Sequence, residues 1–187
     1  VLTESLTAYQ ADPVWSGFTN ITGMYLGDAD AVIMTEVGKL KETLLALGKN
    51  LAEVTDLKIV GVIDQRDFRM MKNEMPVLAN IDLSMAIVMQ YTDENSNVYP
   101  ANTIPQDAFG TIMPMDQGKA SIKSVIIGQE TIGNAAFAQC ANLESVTFTN
   151  GVKVINNTAF AACPKIKNVS IPSSVHTIGQ AAFGNLR

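Results

Sequence analysis

Ile132-Gly-Asn-Ala-Ala-Phe137-Ala-Gln-Cys140-Ala-Asn-Leu143-Glu-Ser-Val146-Thr-Phe148 returns 23 residues later as Ile155-Asn-Asn-Thr-Ala-Phe160-Ala-Ala-Cys163-Pro-Lys-Ile166-Lys-Asn-Val169-Ser-Ile171. A third copy opens at Ile178-Gly-Gln-Ala-Ala-Phe183. Self-similarity at such a period marks stacked turns, each too small to bury its apolar side alone. Within each copy, alternation at period two sends Val146 and Phe148 to one side of a strand and Thr147 to the other.

The same apolar code recurs upstream as Ile122, Val125 and Ile127, as Leu78, Ile81 and Leu83, and as Val54, Leu57 and Ile59. Strand centres are expected near residues 57, 81, 125, 146 and 169. The long step from 81 to 125 is one enlarged repeat, residues 78–121, which carries its own Ile104-Pro-Gln-Asp-Ala-Phe109. Its surplus forms two insertions, residues 89–103 and 110–120, and insertions in a solenoid gather on one face, often the binding face. Repeats of roughly 20 to 29 residues built on Leu-x-x-Val-x-Ile signify an α/β leucine-rich solenoid. A parallel sheet is expected on one face, with turns and short helices on the other. Two helices precede the main strands. One carries Leu40, Leu44, Leu47 and Leu51, with Thr35 as N-cap and Gly48 as stop. The other is capped by Asp64, ends at Pro76 and turns Phe68, Met71 and Met75 inward. The first is read as an N-terminal cap over the open end of the stack.

The chain has 187 residues, a hydrophobic fraction of 47% and a formal net charge of −5. That content supports a continuous core, while no stretch approaches the ~20 apolar residues of a membrane span. An acidic chain without a basic run excludes nucleic-acid binding through phosphate contacts. It also excludes docking on an anionic membrane by charge alone. The chain does not start with Met and shows no signal peptide, so its residues do not report a compartment.

Laid side by side, the Ile-x-x-x-Ala-Phe elements and Leu-x-x-Val-x-Ile strands resemble the BspA-like leucine-rich repeat family, surface and secreted proteins abundant in Bacteroidetes. Residues 155–178 follow the family unit closely, including Ile171-Pro172-Ser-Ser-Val175-His-Thr-Ile178. Residues 132–155 follow it with Thr149 in place of Pro. The resemblance covers roughly residues 35–187. Residues 1–24, with Tyr9, Trp15, Phe18 and Ile21, are similar to the segment that closes modules of this family. They read either as the end of a preceding module or as a local apolar cap. Residues 25–34 are then a linker and 35–187 the repeat module. Arg187 falls inside a repeat, so a longer parent chain is expected. The resemblance implies an extracellular or cell-surface location.

Chemistry-bearing residues are sparse. Cys140 and Cys163 occupy equivalent positions on adjacent turns, where a disulfide is geometrically permitted. The resemblance makes that position an interior slot for a small residue, and buried free thiols are the favoured reading. His176 stands alone in a turn, so neither a catalytic triad nor a zinc site is expected. Asp28, Asp30, Asp93, Glu94 and Asn95 lack calcium-loop spacing and read as solvated loop charges. Gly61, Gly128, Gly133 and Gly151 are assigned to turns needing positive φ. No catalytic residue, metal or cofactor is expected.

What remains is surface. Outward strand positions form a column of Lys58, Asp82, Ile126, Thr147 and Ser170. It is flanked by Asp56, Asn80, Ser124, Ser145 and Asn168 on one side, and by Val60, Ser84, Gly128, Thr149 and Pro172 on the other. Tyr91 and Tyr99 in the first insertion, and Met113 and Met115 in the second, complete the candidate binding surface. The resemblance implies a non-catalytic binding or adhesion module for a protein or glycan, host extracellular molecules among them. Adjoining repeat modules of the same polypeptide are further expected partners. A structural spacer within a larger surface protein is the alternative, and an accessory part of an enzyme the least favoured reading.

Overall fold

The computed structural model describes residues 30–113 and 117–184. Residues 1–24, the first part of the linker and Met115 lie outside the described residues. The chain divides at Ala31/Val32 into two units, and nearly every described residue belongs to the second, Val32–Arg187.

Along the chain run β1 (Ala31–Met34), α1 (Leu40–Ala46), β2 (Asp56–Ile63), α2 (Gln65–Glu74) and β3 (Asn80–Val88). Then come β4 (Tyr91–Thr92), β5 (Val98–Tyr99), β6 (Thr103–Ile104), β7 (Ser124–Ile127) and β8 (Thr131–Ile132). The last are β9 (Ser145–Phe148), β10 (Val154–Ile155) and β11 (Thr177–Ile178). A five-stranded sheet has the order β1-β2-β3-β7-β9. From β2 to β9 it is parallel, with Leu57, Ile81, Val125 and Val146 in register. The leucine-rich repeat fold read from the sequence is therefore present, with few helices. Four of the five expected strand centres fall inside these strands.

The fifth does not. Among the described residues no strand covers position 169, and Ile171 is 39% exposed. No described turn stacks on its outer side, so the apolar burial that holds the other strands flat is missing there. At the other end, Ala31–Met34, read as the end of the linker, is a strand beside β2. That strand delays α1, whose N-cap is Lys39 and not Thr35, while Gly48 follows its end at φ 71° as expected. α2 matches its expected bounds, and Phe68, Met71 and Met75 are fully buried.

Opposite elements of the repeat carry a second sheet that the sequence reading did not contain. β6, β8, β10 and β11 pair in parallel through Ile104, Ile132, Ile155 and Ile178. Strands of two residues have no alternation to read. Among the described residues, helices are confined to α1 and α2, and the later turns carry none.

Side chains from both sheets meet in one core, through which the repeated phenylalanines run as a stack. Ring centroids of Phe109 and Phe137 lie 5.3 Å apart, those of Phe137 and Phe160 5.2 Å, and those of Phe160 and Phe183 5.3 Å. Phe68 of α2 meets Phe109 edge-on at 6.0 Å. Backbone bonds tie the turns along the same line. Phe109 N donates to Ala136 O, Phe137 N to Ala159 O and Phe160 N to Ala182 O, at 2.7, 2.8 and 2.7 Å.

These bonds need a left-handed residue two positions before each phenylalanine. Asp107, Ala135, Thr158 and Ala181 have φ of 53°, 52°, 54° and 51°. The glycines are elsewhere. Gly61 has φ 103° but lies inside β2, where a Cβ would sit 2.1 Å from Met34 O. Gly128, Gly133 and Gly151 are not among the positive-φ glycines. Added Cβ atoms there would meet Ser84 O and Gln106 N at 2.6 Å and Gly128 O at 2.9 Å, so close approach explains them. A β-branched Thr158 is the least suited of the four left-handed residues, because that conformation costs about 1–2 kcal/mol for L-residues and Asn tolerates it better. Thr158→Asn is therefore expected to stabilise the fold by about 1 kcal/mol, read as a higher urea midpoint at unchanged slope. A lower midpoint would show that the Thr158 hydroxyl, bonded to Asn157 O at 2.7 Å, outweighs the strain.

Candidate functional site

The first insertion folds as the β4–β5 hairpin, its turn organised by Asp93. That carboxylate accepts from Asn95 N and Asn97 N at 2.9 Å each and from Asn97 Nδ2 at 3.0 Å. The Asn97 hydrogen bonds, side chain first, hold the Asp93 carboxyl below the usual carboxylate range. The acidic run is a turn device.

Tyr91 and Tyr99 are directly opposed across the hairpin and stack at 6.1 Å. Two arginines of α2, three residues apart and so on one helix face, hold them. The Arg66 guanidinium lies 4.9 Å from the Tyr91 ring centre and that of Arg69 5.6 Å from Tyr99. Arg69 also donates to Tyr99 Oη at 3.0 Å and lies 3.7 Å from Asp93. Arg66 is itself fixed by the buried Asp64 carboxylate at 2.6 Å. The sequence thus identified the tyrosines but missed the arginines. Their i, i+3 spacing on a predicted helix was the available signal.

Between α2, the hairpin and the turns before Phe109 and Phe137 lies a groove of about 750 Å³. Tyr99 and Arg69 form one end of its lining, and Gln65, Asn73, Asn97, Gln106, Asn134 and Asn156 supply six side-chain amides. Two polar atoms of the lining residues, Gln65 Oε1 and Asp107 Oδ1, are buried without a hydrogen-bond partner. Asn73, Asn134 and Asn156 make no side-chain hydrogen bond within the described protein. Lys72 also lines the groove, but its ammonium is held by the carbonyls of Asp107 and Gly110, both at 2.9 Å.

The outward column of the large sheet is a separate surface. Lys58, Asp82, Ile126 and Thr147 do stand in register, as expected. Ser170 falls on the missing fifth strand and joins no ladder. Val60, expected on the outer flank, is only 4% exposed and pairs with Met85, because a bulge shifts the register after Lys58. Much of the column's hydrogen-bonding capacity is used internally. Asn80 donates to Asp56 and accepts from Ser124, both at 2.7 Å, while Asp82 lies 3.8 Å from Lys58 and accepts from Ser84 Oγ at 2.6 Å. Met113 is 62% exposed beside Ile112 at 61%.

Both cysteines are free and buried. Their thiols point at carbonyls of the preceding turn, Phe109 O at 3.7 Å and Phe137 O at 3.1 Å. Burial pushes Cys140 up to about 12 and Cys163 up to about 11, so neither supplies a thiolate near neutral pH. The imidazole of exposed His176 bonds only the Thr177 hydroxyl among the described residues.

Residues 102–187 match the family model described as BspA type leucine-rich repeat region, in 6 copies. Among curated proteins none matches the chain. Among solved structures, the chain is similar to a leucine-rich repeat protein from Bacteroides capillosus, with 31% identity over 52% of this chain and 67% of that one, at a TM-score of 0.39. A leucine-rich repeat protein from Bacteroides ovatus is 28% identical over 51% of this chain and 23% of its own, at 0.39. One from Eubacterium ventriosum is 20% identical over 70% and 30%, at 0.46. The chain thus spans two thirds of the first and under a third of the other two.

Proposed function

This chain belongs to the BspA-type leucine-rich repeat family, and from that premise we propose that it is a non-catalytic binding module, secreted or displayed at the cell surface, for a protein or glycan ligand. The observation that carries the reading is the contrast between its two polar surfaces. On the large sheet Asp56, Asn80 and Ser124 bond one another and Lys58 pairs with Asp82, whereas the groove beside Tyr99 keeps two buried oxygens without partners. Polar groups buried without partners cost about 1–3 kcal/mol each, a cost removed when the Gln65 and Asp107 side chains turn toward a ligand that donates hydrogen bonds. The buried thiols and the solvated imidazole supply no activated nucleophile, in keeping with binding alone. No described helix is long and apolar enough to cross a membrane.

The test is binding of the full chain to arrays of glycans and of extracellular-matrix proteins. Signal on either array is expected, reduced at least roughly tenfold by Tyr99→Ala, which removes an aromatic wall, and unchanged by Thr147→Ala and Ser170→Ala. Silence of the folded protein on both arrays favours the spacer reading, to which the self-satisfied sheet face is suited. Loss through Thr147 and Ser170 instead would move the site to the sheet.

A further inference from the structure

We propose that the groove beside Tyr99 takes a neutral oligosaccharide chain, lying along the solenoid axis; this rests on the groove being the binding site. Its lining argues for hydroxyl-bearing ligands. A side-chain amide offers two donors and a carbonyl acceptor, which matches the double character of a sugar hydroxyl. Exposed Asn73 and Asn134 and half-buried Asn156 spend none of that capacity within the described protein, so a ligand need displace only water from them. Gln65, only 7% exposed, and Asp107 add oxygens that need donors. Both atoms lie below the surface, so ligand hydroxyls or a bridging water provide them once the two side chains turn toward the groove.

The charges of the groove are already engaged. Arg69 is held by Asp93 and Tyr99, and Lys72 by two backbone carbonyls. A phosphorylated or strongly acidic partner would find no unpaired cation in this lining, and a basic one would compete with Arg69 and Lys72. A protein ligand, in turn, is anchored by aromatic or aliphatic side chains entering dry pockets, whereas six amides interrupt the apolar part of this lining, Val98, Pro100, Pro105 and Ala108. The faces of the Tyr99 ring are covered by Tyr91 and the Arg69 guanidinium, so its edge, with Pro100, gives a rigid apolar wall against which a sugar can lie.

Spacing supplies an independent argument. Gln106 and Asn134 occupy the same position on adjacent turns, two residues after the paired Ile104 and Ile132. Neighbouring strands are ~4.8 Å apart, close to the advance of one sugar ring in an extended polysaccharide. Successive turns therefore present an amide to successive sugar residues, that of Gln106 steadied by its own donation to Asp107 Oδ2 at 3.1 Å.

The experiment is titration calorimetry of the full chain with neutral gluco-, xylo-, manno- and galacto-oligosaccharides, tetra- to octasaccharides, beside acidic uronic-acid oligomers and extracellular-matrix proteins. Asn73→Ala and Asn134→Ala are the variants, since neither side chain bonds within the protein and neither change should move the melting temperature. Binding of at least one neutral series is expected, tightening with length and weakened about fivefold by each variant. Affinity for matrix proteins alone overturns the sugar assignment and leaves the binding-module reading intact. Affinity for acidic oligomers alone, falling steeply with salt, overturns the neutral assignment. Neutral-sugar binding indifferent to both variants removes it from this groove. Silence toward all three probes overturns both readings.

Discussion

Phe137→Ala is expected to cost about 4 kcal/mol, the upper range for truncating a buried aromatic residue. Phe137 is fully buried and stacked on both faces, by Phe109 at 5.3 Å and Phe160 at 5.2 Å. Its removal deletes two aromatic contacts worth about 0.5–1.5 kcal/mol each beyond area, and opens a cavity between turns whose backbones are tied by Phe137 N–Ala159 O. Those bonds prevent the turns from collapsing into the space. Phe183, half-buried and stacked on one described neighbour, gives the comparison. Phe183→Ala should cost less than half as much. Because stability in a solenoid is a sum of turns and the interfaces between them, Phe137→Ala should also lower the urea slope as the two sides begin to unfold separately. A loss under about 1 kcal/mol, at unchanged slope, would show that the ring stack is not what couples the turns.

The sequence revealed this stack only as a recurrence. Ile-x-x-x-Ala-Phe repeats visibly, and burial of its phenylalanines follows, but their face-to-face alignment depends on the left-handed residue two positions earlier. Asp107, Ala135, Thr158 and Ala181 share no chemistry that announces positive φ, and the visible glycines pointed elsewhere. The large sheet was legible because four apolar triplets bury one face at period two. The small sheet was hidden, since two residues carry no period.

The groove divides in the same way. Tyr91 and Tyr99 stood out as aromatics in an insertion, but their partners come from α2, an earlier element brought alongside only by the fold. Gln106 and Asn134 were visible as equivalent positions in the repeat. What separates them from ordinary surface amides is their shared boundary with Gln65 and Asp107, and no sequence spacing encodes that. The outward column was predicted through Ser170 and stands in register only through Thr147. Register is local information, whereas hydrogen-bond satisfaction between Asp56, Asn80 and Ser124 is not.

Asp67→Ala is expected to cost about 3 kcal/mol, through backbone donors and not through a cavity. One carboxylate oxygen accepts from Asp64 N at 2.9 Å and Gly38 N at 2.8 Å, and the other from Leu40 N at 3.0 Å. A single 2% exposed side chain therefore closes the capping box of α2 and also takes up donors at the start of α1. Asp67→Asn is no safe substitute. Both oxygens face N–H donors, so an amide nitrogen at either position opposes donor to donor, and Asn should recover little of the loss. Burial, foremost, raises the Asp67 carboxyl above its ordinary value. A raised native pKa means that the native state binds the proton more tightly, so this group's contribution is largest below the unfolded pKa, about 3.9. It declines as pH rises through the native value. The wild-type margin over Asp67→Ala should accordingly be wider in acid than at neutral pH. A margin that grows with pH would show that the three N–H bonds dominate over desolvation. The damage should also be regional. Hydrogen exchange at Leu40 and along α1 and α2 should quicken, while Phe137 and Phe160 amides in the later turns keep their protection. Since α2 carries Arg69 and Asn73, groove affinity should fall in the same variant. Uniform loss of protection through the whole stack would instead make Asp67 a determinant of global stability, and the first two turns would not be a separable platform for the groove.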